Sequence, residues 1–438
     1  MDFSIFAQAY KNRDLRRRLL LVIGIITVYS LLTHVPVPVA NTTSLQSFLL
    51  QLFNNTPILG FANIFSGGAL ASFSIVLMGL GPFINASIIM QLLGQVIPQI
   101  EALQKEGEQG QNKINYYTRL LTVPLALIQS FAMVAFIRQT STKIEGFDII
   151  GKQTLLQWAV IILSITAGSM LLMWLGEIIT DRGIGNGISI IILAGIISRL
   201  PQSFGQVFSV ASGDTNAMIG AFALVLIFLA MIYFIVVLNE GQRNIPISYA
   251  RRSSSSNSYN SVDTHLPIRL ITAGVIPIIF SLAFLSIPGF LGQLFSNAKT
   301  AWLSTFAKHL SALFQPTNWV YIAVYFLTVF MFTYFYTAVV FKPADIAENL
   351  QKQGGFIPGI RPGKETESYL KKIINRLTFS GAIALGVIAV LPFLLEKFIS
   401  SAQNIAIGGT SLLILVAVVI ETMKQIESRA LMATYEKY

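Results

Sequence analysis

Ten stretches of this chain are long, apolar and almost free of charge, at about 19–36, 73–98, 119–137, 154–176, 186–200, 217–239, 268–293, 318–341, 374–395 and 404–423. Peptide N–H and C=O groups find no water inside a bilayer, so such a stretch crosses it as a helix, using roughly 20 residues per span. A chain built this way is an all-α polytopic membrane protein of ten transmembrane helices. Composition agrees, with 54% hydrophobic and 11% charged residues against about 25% charged in a soluble domain. A water-soluble enzyme, a disordered tail and a nucleic-acid reader are excluded. With no Cys in the chain, disulfides, iron–sulfur clusters and thiolate metal sites are excluded as well. The three histidines, His34, His265 and His309, are too scattered for a multi-histidine metal centre.

Charge sets the expected orientation. Lys11, Arg13, Arg16, Arg17 and Arg18 precede the first run. A secretory signal peptide begins similarly, but no small-residue cleavage site follows and nine further runs do, so the first run reads as a retained span with its N-terminus inside. In that orientation most of the 30 Lys+Arg fall on the inner side, and both termini are expected in the cytoplasm. The net charge of +10 therefore belongs to inner loops rather than to nucleic-acid binding.

The stretch at about 57–70 is apolar but too short to cross, with Pro57 suited to a first helical turn and Gly67-Gly68 to a helix end. It reads as a helix that dips back into the membrane, or alternatively as an amphipathic helix lying outside. The second and seventh spans share a Gly-x-x-Pro element, Gly79 to Pro82 and Gly274 to Pro277, expected to break each helix internally. Matching breaks in corresponding spans point to a pathway between two halves, 1–200 and 201–438, each with an odd number of spans and therefore inverted.

The middles of the runs hold no Asp, Glu, Lys or Arg, whereas an ion-driven carrier places carboxylates or paired charges there. Beside the breaks lie aliphatic residues instead: Leu80 and Ile84, Ile188 and Ile192, Ile279, and Ile414. The first two pairs are each spaced i,i+4 and share a helix face. Such side chains form either a constriction that excludes water or ordinary packing against helices and lipid. Asn85, Ser87 and Gln91 adjoin the first break and Thr272 the second, placed to hydrogen-bond across a helix seam. Two long inner loops, about 240–267 and 342–372, display Arg243, Arg251, Arg252 and Arg361. In the first, Ile245, Ile247 and Tyr249 alternate with polar residues as in a short hairpin strand. No catalytic constellation and no phosphate-binding G-x-x-x-x-G-K-[ST] motif occurs, so no enzyme activity or cofactor is expected and any nucleotide must be spent by a partner.

These residues resemble the SecY family of protein-conducting channels. The resemblance is carried by Phe65-Ser-Gly-Gly-Ala-Leu70, by Gly81-Pro-Phe-Ile-Asn-Ala-Ser-Ile-Ile-Met-Gln-Leu-Leu93 and by Glu106-Gly-Glu-Gln-Gly110. It continues through Trp174-Leu-Gly-Glu-Ile-Ile-Thr-Asp-Arg-Gly-Ile-Gly-Asn-Gly-Ile-Ser189, Ala273-Gly-Val-Ile-Pro277, Phe356-Ile-Pro-Gly-Ile-Arg-Pro-Gly363 and Gly408-Gly-Thr-Ser-Leu-Leu413. The resemblance implies two inverted five-helix halves closing like a clamshell, with a re-entrant plug that includes Phe65, Ser66, Gly67 and Gly68. It implies a pore ring of Leu80, Ile84, Ile188, Ile192, Ile279 and Ile414. It also implies a lateral gate between the second and seventh spans, at Pro82, Asn85, Ser87, Gln91, Thr272 and Pro277. The same resemblance implies SecE-like and SecG-like small subunits, a SecA motor ATPase, the ribosome, signal sequences and the lipid bilayer as partners, with Arg361 foremost in docking. Ile271 stands where the family often has asparagine, and the tip Ser253–Ser258 is less basic than usual. The expected function is passage of unfolded secretory polypeptides across, and of membrane helices sideways into, a bacterial plasma membrane, with a plastid thylakoid membrane as the alternative site. An ion-coupled secondary transporter with inverted repeats is the rival function, and a scaffold that only anchors other subunits is a second.

Overall fold

The computed structural model describes residues 12–38, 66–141, 154–211, 215–249, 264–271, 274, 276–295, 300–315, 318–398 and 406–435. A helix occupies every one of the ten apolar runs. In chain order the helices and strands are α1 (Arg13–Leu32), α2 (Gly81–Val96), α3 (Pro98–Lys105), α4 (Glu108–Ser141), α5 (Leu155–Arg182), α6 (Gly187–Ala211), α7 (Thr215–Glu240), β1 (Gln242–Tyr249) and β2 (Thr264–Arg269). They continue with α8 (Ile276–Phe295), α9 (Ala301–Leu313), α10 (Trp319–Val340), α11 (Pro343–Lys352), β3 (Gly355–Phe356), α12 (Lys364–Phe398) and α13 (Ala406–Tyr435). Glu108–Arg138, Leu155–Arg182, Trp319–Lys352 and Lys364–Leu395 are each long and apolar enough to cross a membrane alone. α2 and α3 together make a further candidate, bent by 100°. The bend falls at Ile97, which is held extended (φ −100°, ψ 113°) because the following Pro98 ring disfavours the helical region.

Two local expectations are corrected. The second run was expected to be helical from 73, but residues 66–80 form successive turns and the helix begins at Gly81. Most of the re-entrant helix expected at about 57–70 lies outside the described residues, and 66–70, where the Gly67-Gly68 pair was expected to end it, form a turn. The shared Gly-x-x-Pro elements also act differently from a kink. Pro82 and Pro277 each sit in the first turn of a helix, where a missing N–H costs no hydrogen bond. Gly79 (φ 55°) and Gly274 (φ 61°) are each left-handed, a conformation a side chain resists, and turn the chain into those helices. The two elements therefore have the same local geometry, as starts rather than interruptions.

The turn segment is firmly built in. Val37 N–H donates to the Phe73 carbonyl (2.9 Å) and Ile75 N–H to that of Val35 (3.0 Å). Leu70, Phe73 and Leu77 pack into a cluster with Val134 and Ile137 of α4 and Ile161 and Ile165 of α5. A larger core runs through the middle of the bundle, drawing on α1, α5, α6, α7, α8, α10, α12 and α13. α2 and α4 both pack against α8, whereas α6 packs against α7 and α13. Helices α1–α6 thus meet the later ones along two separate lines. α6 extends to Ala211, so the chain boundary expected at 200 falls within a helix, and the break between α6 and α7 comes after it.

Three strands form one sheet in the order β2-β1-β3, all antiparallel. Ile245 pairs with Leu266, and Tyr249 with Gly355. The alternation seen in the sequence is real: Ile245 and Ile247 are buried while their neighbours Asn244 and Pro246 are exposed. Ile245 and Ile268 pack with Ile357, Leu370, Ile373 and Ile374 at the base of α12, which joins the two polar loops into one folded unit.

Candidate functional site

Six aliphatic side chains on four elements lie in or against one central core. Leu80 ends the turn segment as the residue capping α2, and Ile84 lies one turn into that helix, its N–H bonded to the Leu80 carbonyl (3.0 Å). Ile188 and Ile192 occupy the first two turns of α6. That helix starts where it does because Asn186 Oδ1 accepts from the Ile188 N–H (3.1 Å) and the Ser189 N–H (3.4 Å), an N-cap for otherwise orphaned donors. Thr180 Oγ1, at the end of α5, accepts from Gly187 N–H (2.9 Å) and fixes the turn between the helices. Ile279 lies in the first turn of α8 and Ile414 in α13. Leu80, Ile192, Ile279 and Ile414 are buried in the central core, with Ile84 and Ile188 half-buried against it. None of the six faces outward alone, and they share that core with many other residues.

Beside this cluster lies the α2–α8 contact. Pro82 and Pro277 are buried in the two opening turns, and Asn85, Ser87 and Gln91 are half-buried on α2. Gln91 Nε2 donates to Ser87 Oγ one turn back (3.3 Å), while its buried Oε1 has no hydrogen-bond partner among the described residues. On α8, Ser281 Oγ donates to the Pro277 carbonyl (2.7 Å). Thr272 lies outside the described residues, whereas Ile271 is buried in the central core. The side-chain bonds shown at the seam, Gln91 to Ser87 and Ser281 to Pro277, each stay within one helix.

Of the residues expected in the plug, Phe65 lies outside the described residues, while Ser66 and Gly68 are buried and Gly67 half-buried. Of the docking residues, Arg243 is exposed on β1, and Arg361 is exposed in the turn before α12, its carbonyl accepting from Thr366 Oγ1 (2.9 Å). Arg251 and Arg252 lie outside the described residues. Because β1 and β3 pair, Arg243 and Arg361 belong to one unit rather than to two independent loops. Sequence reasoning passed over Tyr29, Gly195 and Arg199, which close on the Gly67-Gly68 turn. Gly195 and Arg199 follow Ile188 and Ile192 at helical spacing, a signal that marks all four as one face of α6.

This arrangement offers no acid–base or nucleophilic chemistry, and no cluster of His, Asp or Glu suited to a metal occurs among the described residues. What it offers is a set of aliphatic side chains from separate helices in or against one apolar core.

A SecY family model matches residues 74–423. The protein translocase subunit SecY of Streptomyces scabiei is 40% identical over 439 residues, covering 99% of each chain. A solved SecY channel, whose plug domain stabilises the closed state and maintains a membrane seal, superposes with a TM-score of 0.60 at 19% identity, over 93% of this chain and 90% of that one. Sec61 in the canine ribosome–channel complex superposes with a TM-score of 0.57 at 18% identity, again over 93% and 90%. The Streptomyces relative is a bacterial protein translocase subunit, and the rival function of an ion-coupled transporter finds no support among these relatives. By the matching family model and its full-length likeness to the Streptomyces subunit, the chain belongs to the SecY family.

Proposed function

We propose that this chain is the central pore-forming subunit of a protein-conducting channel in a bacterial plasma membrane, passing unfolded secretory polypeptides across and membrane helices sideways into lipid. The observation that carries the proposal is the convergence of Leu80, Ile84, Ile188, Ile192, Ile279 and Ile414 from four elements into one core, next to the α2–α8 contact. At rest these side chains form a ring too apolar for water and ions to cross. A passing polypeptide is surrounded by flexible aliphatic groups that bind no part of it strongly.

The turn segment from Ser66 is the end of a plug that covers the ring. α2 and α8 are the two sides of a lateral gate. A signal helix intercalated there supplies apolar contacts in the open state that the closed state lacks, and so shifts the population towards opening. The halves, about 1–200 and 201–438, part along that seam and stay joined where α6 meets α7 and α13. Both termini and the β1–β2–β3 unit face the cytoplasm, where Arg243 and Arg361 dock the ribosome or a SecA motor by charge-assisted bonds. Small SecE-like and SecG-like subunits brace the bundle in the bilayer.

The test is ionic. Vesicles holding the wild-type protein with its small subunits retain their ion gradient, and vesicles holding Ile192→Gly lose it, because glycine leaves a wettable gap in the ring. An Ile192→Gly protein that folds, inserts and remains as tight as wild type contradicts the proposal.

A further inference from the structure

The short helix between α8 and α10 carries an apolar face that is left uncovered among the described residues. On α9, Trp302, Phe306, His309 and Leu313 follow at steps of four, three and four residues and form one stripe, on which Trp302 and Phe306 are 79% and 55% exposed. The two rings stack on each other, nearly parallel, with 6.1 Å between their centroids. A second exposed stripe, Ala301, Thr305, Lys308 and Ala312, is small or polar, and Thr305 Oγ1 donates to the Ala301 carbonyl (2.9 Å). The remaining face, centred on the buried Ala307, packs against α8. Around the helix the order is therefore protein contact, apolar stripe, polar stripe, with His309 on the border between the last two.

α9 is locked to both spans that it joins. A Cβ on Gly292 of α8 would stand 3.0 Å from the Ala307 carbonyl oxygen and 2.7 Å from the Ser311 amide nitrogen, so the two helix backbones touch there. At the other end, Asn318 Nδ2 donates to the Ala312 carbonyl (3.2 Å) while its Oδ1 accepts from the Val320 N–H (3.2 Å), tying the last turn of α9 to the first of α10. The helix cannot roll independently of the bundle, and its faces are fixed relative to the membrane that the bundle crosses.

The neighbouring spans show where that membrane lies. Phe284, Ile287, Leu291 and Phe295 make an exposed stripe that runs to the last residue of α8, and Trp319 and Val320 are exposed at the start of α10. On helices that cross a bilayer such residues meet lipid, and tryptophan gathers at the level of the headgroups. Trp302 and Phe306 lie between Phe295 and Trp319, where the chain leaves one span and enters the next, and they continue the same apolar surface. A helix of 13 residues is too short to cross, but one with an aromatic stripe beside a polar stripe bearing a lysine suits the plane of the interface.

We propose that α9 is an interfacial anchor whose exposed aromatic face is occupied by the bilayer, with Trp302, Phe306 and Leu313 inserted among headgroups and upper acyl chains and with Thr305 and Lys308 facing water. Because Gly292 meets α9 without a gap, the anchor sets the depth at which α8 ends. The anchor goes beyond the channel reading and does not depend on it, since it needs only that α8 and α10 cross the membrane.

The experiment places one nitroxide label at a time on the cysteine-free chain, at Trp302→Cys, Phe306→Cys, Thr305→Cys or Lys308→Cys. Each protein is reconstituted with its small subunits in vesicles of phosphatidylethanolamine and phosphatidylglycerol. Relaxation of the label by dissolved oxygen, which concentrates in lipid, is compared with relaxation by a water-soluble nickel chelate. Labels at 302 and 306 are expected to favour oxygen over the chelate about tenfold more than labels at 305 and 308. Should either aromatic variant fail to insert, Leu313→Cys is read in its place. Chelate-dominated relaxation at all four positions overturns the anchor, because α9 would then stand in water. Weak relaxation by both agents at 302 and 306 overturns it too, because a protein surface rather than lipid would cover that face. Neither result touches the channel reading, which the ion leak of Ile192→Gly tests separately.

Discussion

The six ring candidates are unremarkable one at a time, since an isoleucine in a membrane helix usually packs against a neighbour or lipid. Their place in or against a shared core is what separates them from exposed residues such as Leu163, which is 59% exposed. The same core holds a polar group with no hydrogen-bond partner among the described residues. Tyr325 is fully buried, its ring packed at 5.5 Å from that of Phe393, and its hydroxyl has no partner among the described residues. A buried hydroxyl left unpaired costs stability, so Tyr325→Phe is expected to keep or raise the thermal midpoint in detergent. Tyr325→Ala removes the ring as well and is expected to cost about 3–5 kcal/mol. Thermal unfolding of the two variants side by side checks both. A phenylalanine variant less stable than wild type would show that the hydroxyl is satisfied after all.

At the scale of elements, the apolar runs predict where helices lie because a spanning segment has no alternative to internal hydrogen bonding. They do not predict where a helix begins. Residues 73–80 are as apolar as the helix that follows, yet they turn, because Gly79 and Phe73 (φ 46°) adopt left-handed geometry that hydropathy does not register. A non-glycine residue held there costs about 1–3 kcal/mol, offset here by full burial of the Phe73 ring and by the two backbone bonds to Val35 and Val37. The sheet shows a similar limit. Alternation revealed β1, but β3 is two residues long and pairs with it across more than a hundred residues of chain, a contact no local pattern encodes. Of the candidate site, the i,i+4 pairs were legible as helix faces. Tyr29 and Arg199 were not, because one looked like an ordinary aromatic in a span and the other like a flanking charge. The unit formed by β1, β2, β3 and α12 has its own small core, so Ile245→Ala, at 2% exposure, is expected to cost it about 2–5 kcal/mol. Limited proteolysis checks this: cleavage within 240–267 and 353–363 accelerates while the helical bundle stays resistant. Unchanged cleavage would mean that the loops do not depend on that core.

For the whole molecule, the arrangement of contacts matters more than any single one. The proposed halves meet along α2–α8 through apolar side chains, a contact with little to hold it shut. On the other line the connections are more specific: Arg429 of α13 donates to the Gly183 carbonyl (3.0 Å), and Ile426 packs with Ile184 and Leu15. In the proposed mechanism a bundle joined this way opens on one side and hinges on the other, so that a neck of aliphatic residues gives way to a polymer without unfolding its walls. The most direct measurement of that claim is proximity to the moving chain. A single cysteine placed at Ile192, Ile279 or Ile414 in this cysteine-free protein is paired with a cysteine in a polypeptide arrested midway through transport. Disulfides form at those three positions and not at Leu163 if the substrate threads the neck. Cross-links at Leu163 and none at the three core positions would contradict it.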